Sequence, residues 1–381
     1  MPERRSEKLV VLQVIPALDT GGAERTAVDV ARAIVQAGGQ AWIATEGGRL
    51  VTEAEKYGAK LALGNFGTKN PLEIWNNAAR LSALIRKHDI SIVHARSRAP
   101  AWSAYIASRR AGAKFVATYH GIYNASNPFK RYYNSIMAKG DAVIANSQFT
   151  ADHVKAQHRL DAHKLFTIPR GVDVAAFTPQ SVTAERIEAI KKDWSLKPNR
   201  RVILLPGRLT RWKGQLLFIE ALEKLPDKNF EAVMAGDAQE RDSYVAELRS
   251  ALDRAGLSQN VRIPGHCNDM PAALMAADLI VAPSIEPEAF GRIAVEAQAM
   301  GRPIVASRLG AQTETILDGV TGFLFPPGDA AALAQAIAKA LAMPEADRHK
   351  MAQAGRERVL QKYTVDVMCA STLQIYQRLL S

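Results

Sequence analysis

The segment DLIVAPSIEPEAFGRIAVEAQAMGRPIVAS, residues 278–307, decides how the chain is read. An apolar run, DLIVAP (278–283), leads into a short loop, an amphipathic stretch and a second apolar run, PIVAS (303–307). Strand, loop, helix and strand in that order make one parallel βαβ unit. Further apolar runs flank it: RVILLPG (201–207), FEAVMAG (230–236), VRIPG (261–265) and TGFLFPPG (321–328). The N-terminal half repeats the pattern with VVLQVIPAL (10–18), AWIAT (41–45), SIVHA (91–95), KFVATYH (114–120) and DAVIANS (141–147). Between these lie helical patterns such as ERTAVDVARAIVQAG (24–38) and PLEIWNNAARLSALIRKH (71–88). The alternation predicts an α/β fold of two doubly wound domains, each a parallel sheet with helices on both faces. A chain of 381 residues, 48% hydrophobic, is too long for one ordinary core and suits two domains of about 150 to 200 residues. The expected division is an N-terminal domain over 1–178, a linker over 179–200 marked by Pro179, Pro198 and several lysines, a C-terminal domain over 201–360, and a helix over 361–381 that packs back toward the N-terminal domain.

Composition removes several classes of protein. The charged share is ordinary, and neither a low-complexity tract nor a repeat of about 20 to 50 residues is present, which argues against disorder and solenoids. No apolar run reaches the roughly 18 residues that a membrane-spanning helix needs. The start, MPERRSEKLVVLQVIPAL, can be read as a signal peptide; the reading adopted is a first buried strand, because a turn and an amphipathic helix follow at once. Cys267 and Cys369 stand far apart, with neither metal spacing nor a disulfide framework, which suits a reducing cytoplasm. The charge is uneven: residues 1–180 carry 24 Lys+Arg against 14 Asp+Glu, while residues 181–381 carry 25 against 24. A basic N-terminal half implies a face that meets something anionic: nucleic acid, a phosphorylated acceptor or an anionic membrane.

Open parallel sheets bind ligands at the carboxyl ends of their strands, so the segments that follow strands carry the functional information. In EPEAFGRIAVE (286–296), seven residues separate Glu288 from Glu296, a spacing that predicts Glu296 about two turns into the helix. The amides of Ala289, Phe290 and Gly291 are expected to point outward at its N-terminus, a setting that binds phosphate. The competing reading is a helix-capping acid and a solvated Glu296. The small apolar neighbours Ala294, Val295, Ala297 and Ala299 favour a buried carboxylate that needs a partner. In LLPGRLTRWKGQ (204–215), Arg208 and Lys213 could hold a diphosphate and stabilise it as it leaves; a solvated basic loop is the alternative. It is not a P-loop, because Gln215 stands where a hydroxyl residue is needed and no Gly precedes the Lys. ALDTGGAERTAVDV (17–30) carries Gly21 and Gly22 before a helix, either a tight backbone near a ligand or a plain turn. His120 in TYHG (118–121) ends a strand and can be structural or functional; the other histidines show no metal-ligand pattern. There is no Asp-x-Asp pair to bridge a divalent ion to a diphosphate.

Together these residues resemble the family 4 retaining glycosyltransferases of the GT-B fold, of the bacterial cell-envelope or lipopolysaccharide-core type. The resemblance runs from Val10 to about Leu341 and rests on EPEAFGRIAVE, PGRLTRWKG, AGDA (235–238), IPGH (263–266), ANSQFT (145–150) and IPRGVD (168–173). It implies two Rossmann-like domains facing a central cleft, the N-terminal one binding the acceptor and the C-terminal one the nucleotide sugar. By the resemblance, Glu288 faces the transferred sugar, with Glu286 as the competing acid, and Glu296 holds the ribose hydroxyls. Arg208 and Lys213 grip the diphosphate of a UDP- or GDP-sugar. Gly21, Gly22 and Gly236 line the ligand, His120 the sugar pocket, and Gly265 and His266 lie near the base. The implied chemistry is front-face displacement with retained configuration, without a metal or other cofactor, onto a glycolipid or oligosaccharide acceptor.

The basic stretch NPFKRYYNSIMAK (127–139) mixes Lys130, Arg131 and Lys139 with Tyr132, Tyr133, Ile136 and Met137. It is expected either to lie on an anionic membrane, placing a cytoplasmic protein on the inner face of the plasma membrane, or to bury its apolar face in the domain. Nucleic acid is not an expected partner despite a sequence pI of about 9.6, since no recognised binding motif is present. Three alternatives remain: a GT-B epimerase or phosphorylase, separable by product analysis; a transferase acting on a small soluble acceptor; and a paralogue that only binds nucleotide sugars.

Overall fold

A computed structural model describes residues 9–19, 21–123 and 126–381. The basic residues of the first eight positions, and with them the start of the signal-peptide reading, lie outside the described residues. Two compact units divide the chain: residues up to Gly171 together with Val365–Ser381, and Val172–Thr364.

The first unit is built on β1 (Val10–Val14), β2 (Gln40–Thr45), β3 (Lys60–Leu63), β4 (Ile92–Ala95), β5 (Lys114–Tyr119), β6 (Ala142–Ala145) and β7 (Leu165–Thr167). They form one sheet in the order β3-β2-β1-β4-β5-β6-β7, parallel throughout. The second unit holds β8 (Arg201–Pro206), β9 (Phe230–Ala235), β10 (Val261–Gly265), β11 (Leu279–Ala282), β12 (Ile304–Ser307) and β13 (Phe323–Phe325). Its order is β10-β9-β8-β11-β12-β13, again all parallel. Both units are thus doubly wound and Rossmann-like, as the alternation predicts. The strands β4, β9, β11 and β12 are buried at every residue and read as mostly apolar runs, with His94, Glu231 and Ser307 as buried polar members. The edge strands β3 and β7 are half-exposed and mixed in composition, and sequence reading missed both.

One boundary differs from expectation. The segment 179–200 is not a bare linker. Ala184–Asp193 forms a helix capped by Thr183, Arg186 pairs with Asp269 at 2.7 Å, and Trp194 is buried, all within the second unit. The prolines there mark turns, while the charged helix has no fully buried residue and little periodic signal. The last helix, Val365–Leu380, is part of the first unit: Met368, Cys369, Ile375 and Tyr376 join the core under the helix Gly22–Gln36. Cys267 and Cys369 are both free thiols. Among the described residues no helix is long and apolar enough to cross a membrane.

Candidate active site

In the second sheet β8 and β11 are neighbours, with Leu279 opposite Ile203, but their connections run outward in opposite directions. Such a reversal opens a crevice at the carboxyl ends of the two strands. The loops that follow these two strands are the two segments that the sequence marked most strongly.

After β8 the chain makes a single tight turn, Arg211–Lys213, and then a left-handed residue, Gly214, at φ +78°, from which the helix Gln215–Glu223 starts. A Cβ on Gly214 would lie 1.9 Å from the Pro283 carbonyl oxygen, so only glycine fits. The Ile285 amide donates to the Trp212 carbonyl at 2.8 Å, tying the two loops together. Gln215, which denies the segment a P-loop, turns inward: its amide donates to the Arg208 carbonyl at 3.0 Å and its oxygen accepts from the Tyr244 hydroxyl at 3.2 Å.

This scaffold presents Lys213. Its stem passes over Gly207, its ammonium lies 4.4 Å from the Trp212 ring centroid, and it donates to Glu288 Oε1 at 2.8 Å. The side chains of this pair are only 13% and 11% exposed. The same carboxylate oxygen accepts from Ser284 Oγ at 2.5 Å. Glu296 is 3% exposed and accepts from Arg292 Nε at 2.5 Å. Burial pushes its carboxyl above the usual carboxylate range, while the charges of Arg292 and then Lys213 pull the other way. One ammonium therefore acts on both glutamates. Arg208 is exposed, and its guanidinium has no partner among the described residues.

The helix that carries Glu296 opens later than expected. It spans Arg292–Ala299 with Gly291 as a left-handed N-cap, so Glu296 lies about one turn in, and Glu288 stands outside the helix in the preceding loop. The amides of Phe290, Gly291, Arg292 and Ile293 donate no hydrogen bond among the described residues. Ala289 precedes them. The Phe290 side chain is not part of this surface: it is buried against Tyr363, 6.0 Å between ring centroids, and offers only its backbone. Gly236, after β9, packs so closely on the loop after β8 that a Cβ would meet the Gly207 carbonyl oxygen at 1.8 Å. Gly265 ends β10 at φ +84° beside an exposed His266, on the outermost strand of this sheet. Glu286 is exposed. Among the described residues no group of three or more His, Cys, Asp or Glu is placed to hold a metal ion.

The remaining marked residues, Gly21, Gly22 and His120, lie in the first unit. Gly21 caps the helix Gly22–Gln36 with the Glu24 side chain folded over it. A Cβ on Gly22 would come within 2.4 Å of the Arg170 guanidinium, which also donates to the His120 carbonyl at 3.3 Å. The His120 ring nitrogens are shielded from solvent and have no hydrogen-bond partner among the described residues. Burial, then Arg170 and Arg96, hold the ring well below the usual histidine pKa, so it is neutral at pH 7. Beneath it, buried Arg96 donates from Nε to Gln13 Oε1 at 2.8 Å, and His94 bridges Tyr376 and Thr118 at 2.5 and 2.7 Å.

Sequence reading missed Ser284, Arg292, Arg170 and Arg96. The first two carried a usable signal: Ser284 ends the run after β11, and Arg292 stands four residues before Glu296 on the same helix face. Arg170 sits inside the quoted IPRGVD. Arg96 carried none.

Residues 186–358 match the family described as Glycosyl transferases group 1, and residues 20–176 match Glycosyltransferase Family 4. The chain is similar to a solved glycosyltransferase from Rickettsia africae ESF-5, at 38% identity over 98% of this chain and 99% of that one, with a TM-score of 0.92. It is also similar to Anabaena HepE, solved in complex with UDP-glucose, at 25% identity over 96% and 99% of the two chains, TM-score 0.82. Among curated proteins, the D-inositol 3-phosphate glycosyltransferase of Xylanimonas cellulosilytica is 30% identical over 244 residues, 63% of this chain. The match spans 58% of that relative's length.

Proposed function

This chain belongs to the group 1 / family 4 glycosyltransferases, and from that premise we propose that it transfers a hexose, with retained anomeric configuration, from a UDP- or GDP-sugar to a glycolipid or oligosaccharide acceptor. The observation that carries the reading is the half-dry ammonium of Lys213, paired with Glu288 and acting electrostatically on Glu296, where the order of the second sheet reverses. Lys213, Arg208 and the open amides around Gly291 hold the diphosphate; Glu296 takes the ribose hydroxyls; Glu288 faces the sugar.

In the reaction, the bond between the anomeric carbon and the phosphate oxygen breaks, and its electron pair leaves with the diphosphate. The acceptor oxygen then bonds to the same face of the anomeric carbon. Its proton passes to the departing phosphate oxygen, so no protein base is needed. Lys213 and Arg208 meet the charge that develops on the leaving group, in the role a divalent ion plays elsewhere. Anabaena HepE, solved with UDP-glucose, supports a uridine donor. The name of the curated relatives supports a second reading of the acceptor, as a small soluble phosphorylated polyol.

A thermal-shift panel of UDP-, GDP- and ADP-sugars tests the donor. A ligand at 100 times its dissociation constant adds about 2.7 kcal/mol of stability. With the best donor, transfer should proceed in EDTA and give a product of unchanged anomeric configuration by NMR. No stabilisation by any nucleotide sugar would reject the proposal.

A further inference from the structure

Two loops of the second unit are tied together on either side of their polar side chains. Trp212 and Gly214 flank Lys213, and Pro283 and Ile285 flank Ser284. The Ile285 amide donates to the Trp212 carbonyl at 2.8 Å, and Gly214 packs so closely on Pro283 that a Cβ there would lie 1.9 Å from the carbonyl oxygen. Lys213 and Ser284 are therefore held opposite one another by backbone contacts that neither side chain makes. One oxygen, Glu288 Oε1, takes both donors, Lys213 Nζ at 2.8 Å and Ser284 Oγ at 2.5 Å. The backbone of Glu288 is pinned separately: its carbonyl accepts from the Ala311 amide at 2.9 Å, and a Cβ on Gly310 would lie 2.6 Å from that oxygen.

The two donors differ in their freedom to move. Ser284 is 1% exposed, has a short side chain and stands just past β11, so its oxygen stays where the strand end puts it. Lys213 has a long flexible stem that runs over bare Gly207, and its ammonium rests 4.4 Å from the Trp212 ring centroid. An aromatic face stabilises a cation without fixing it by a hydrogen bond, so the ammonium can change partners there. A diphosphate carries more charge than one carboxylate and offers more acceptor oxygens, and it draws the ammonium away from Glu288. The Glu288 side chain is only 11% exposed. A carboxylate so poorly hydrated is costly to leave without its counter-charge unless another donor stays with it.

We infer that Ser284 is a positioning residue of the donor site: its hydroxyl stays on Glu288 Oε1 and keeps that carboxylate satisfied and aimed while Lys213 exchanges from Glu288 to the donor diphosphate. The resting Lys213–Glu288 pair is then a latch that the donor displaces at low cost, because Glu288 is never stripped of both partners. The inference rests on the glycosyl-transfer reading and adds to it one residue and one exchange of partners. Ser284 acts through Glu288 and does not touch the reacting atoms.

The test is calorimetric titration of the full chain with UDP, GDP and ADP, continued with whichever binds the wild type most tightly and with its matching nucleoside. Ser284→Ala should weaken the diphosphate about tenfold, the effect of losing one hydrogen bond to a charged group. Glu288→Gln has no charge to strand, so adding it to Ser284→Ala should restore the affinity to that of Glu288→Gln alone. The nucleoside, with no diphosphate to draw the ammonium, should bind Ser284→Ala as it binds the wild type. A serine that merely packs the loop would instead give the same loss with Glu288 or Gln at 288, and the same loss for nucleoside and diphosphate; either result overturns the inference. Diphosphate binding by Ser284→Ala within about twofold of the wild type also overturns it, and leaves the donor reading standing. Failure of the wild type to bind any of the three diphosphates rejects the donor reading itself, and the inference with it.

Discussion

Replacing Lys213 by Ala is the sharpest perturbation of the proposed chemistry. The ammonium lies 2.8 Å from Glu288 with both side chains nearly withdrawn from water, so its charge is poorly screened and already aimed. Removing one prepositioned donor from a charge-stabilising site costs about 2 to 4 kcal/mol of barrier, or about 30- to 1000-fold in kcat. Uniform substrate binding would instead appear in KM, so the loss should fall on kcat/KM and kcat together. Glu288→Gln separates two roles of the pair. It releases the ammonium from its resting partner, so UDP affinity should rise or hold while transfer falls. Initial rates of UDP release and of sugar transfer, measured at saturating donor, read both variants, and circular dichroism checks the fold. Lys213→Ala retaining transfer within about threefold of the wild type would remove the residue from the mechanism.

Glu296 gives a pH-dependent test. Because burial raises its folded-state pKa, its contribution to stability is full below about pH 4.5 and is lost as pH rises through the raised value. Glu296→Gln should therefore gain stability relative to the wild type as pH rises from about 4.5 toward 8, while donor affinity falls; denaturant titration across pH reads the first and calorimetry the second. Gly214→Ala forces a Cβ into the Pro283 carbonyl at a left-handed position, so it should lose at least about 2 kcal/mol of stability in urea titration; a loss under about 0.5 kcal/mol would show that the loop gives way freely. On the helix Pro128–Ser135, Tyr132 and Arg131 are exposed while Ile136 and Met137 beyond it are buried, so only its front end can meet a membrane. In flotation at low salt, vesicles with anionic lipid should carry the chain, and Arg131→Ser should weaken this about fivefold, from about 1 kcal/mol per basic residue; equal flotation with neutral lipid removes the anionic surface from the account.

The fold was legible because its strands are buried on both faces. A sheet covered by helices on each side favours apolar residues at nearly every position, and β11 and β12, with β9 despite its buried Glu231, therefore stand out as runs bounded by Gly or Pro. The same physics hid β3 and β7. An edge strand shares only one ladder and half of its surface, so KLAL (60–63) and LFT (165–167) carry too little hydrophobic bias to be told from loops. The helix Ala184–Asp193 escaped for a related reason. It is held by the Arg186–Asp269 pair and partial burial rather than by a fully buried face, so composition suggested a linker.

Legibility of the site followed chain proximity. Residues that act through a short loop after a strand, such as Lys213 and Glu288, leave their spacing in the sequence, because the loop geometry that aims them is local. Even there the helix start was read three residues too early. EPEAFG has nothing that forbids helix, and it is the tertiary fit that sets the boundary: a Cβ on left-handed Gly291 would press to 3.1 Å on the Gln312 side chain, and the Glu288 carbonyl accepts from the Ala311 amide at 2.9 Å. Arg96 and His94 mark the opposite limit. Their partners include Gln13 on β1 and Tyr376 on the last helix, with Gln13 and Arg96 83 positions apart and His94 and Tyr376 282 positions apart, so no spacing rule connects them. A buried arginine whose hydrogen bonds go to an amide oxygen is costly to fold, and desolvation already lowers its pKa. That cost is borne next to His120 and Arg170, at the carboxyl end of the first sheet, where an anionic ligand would repay it.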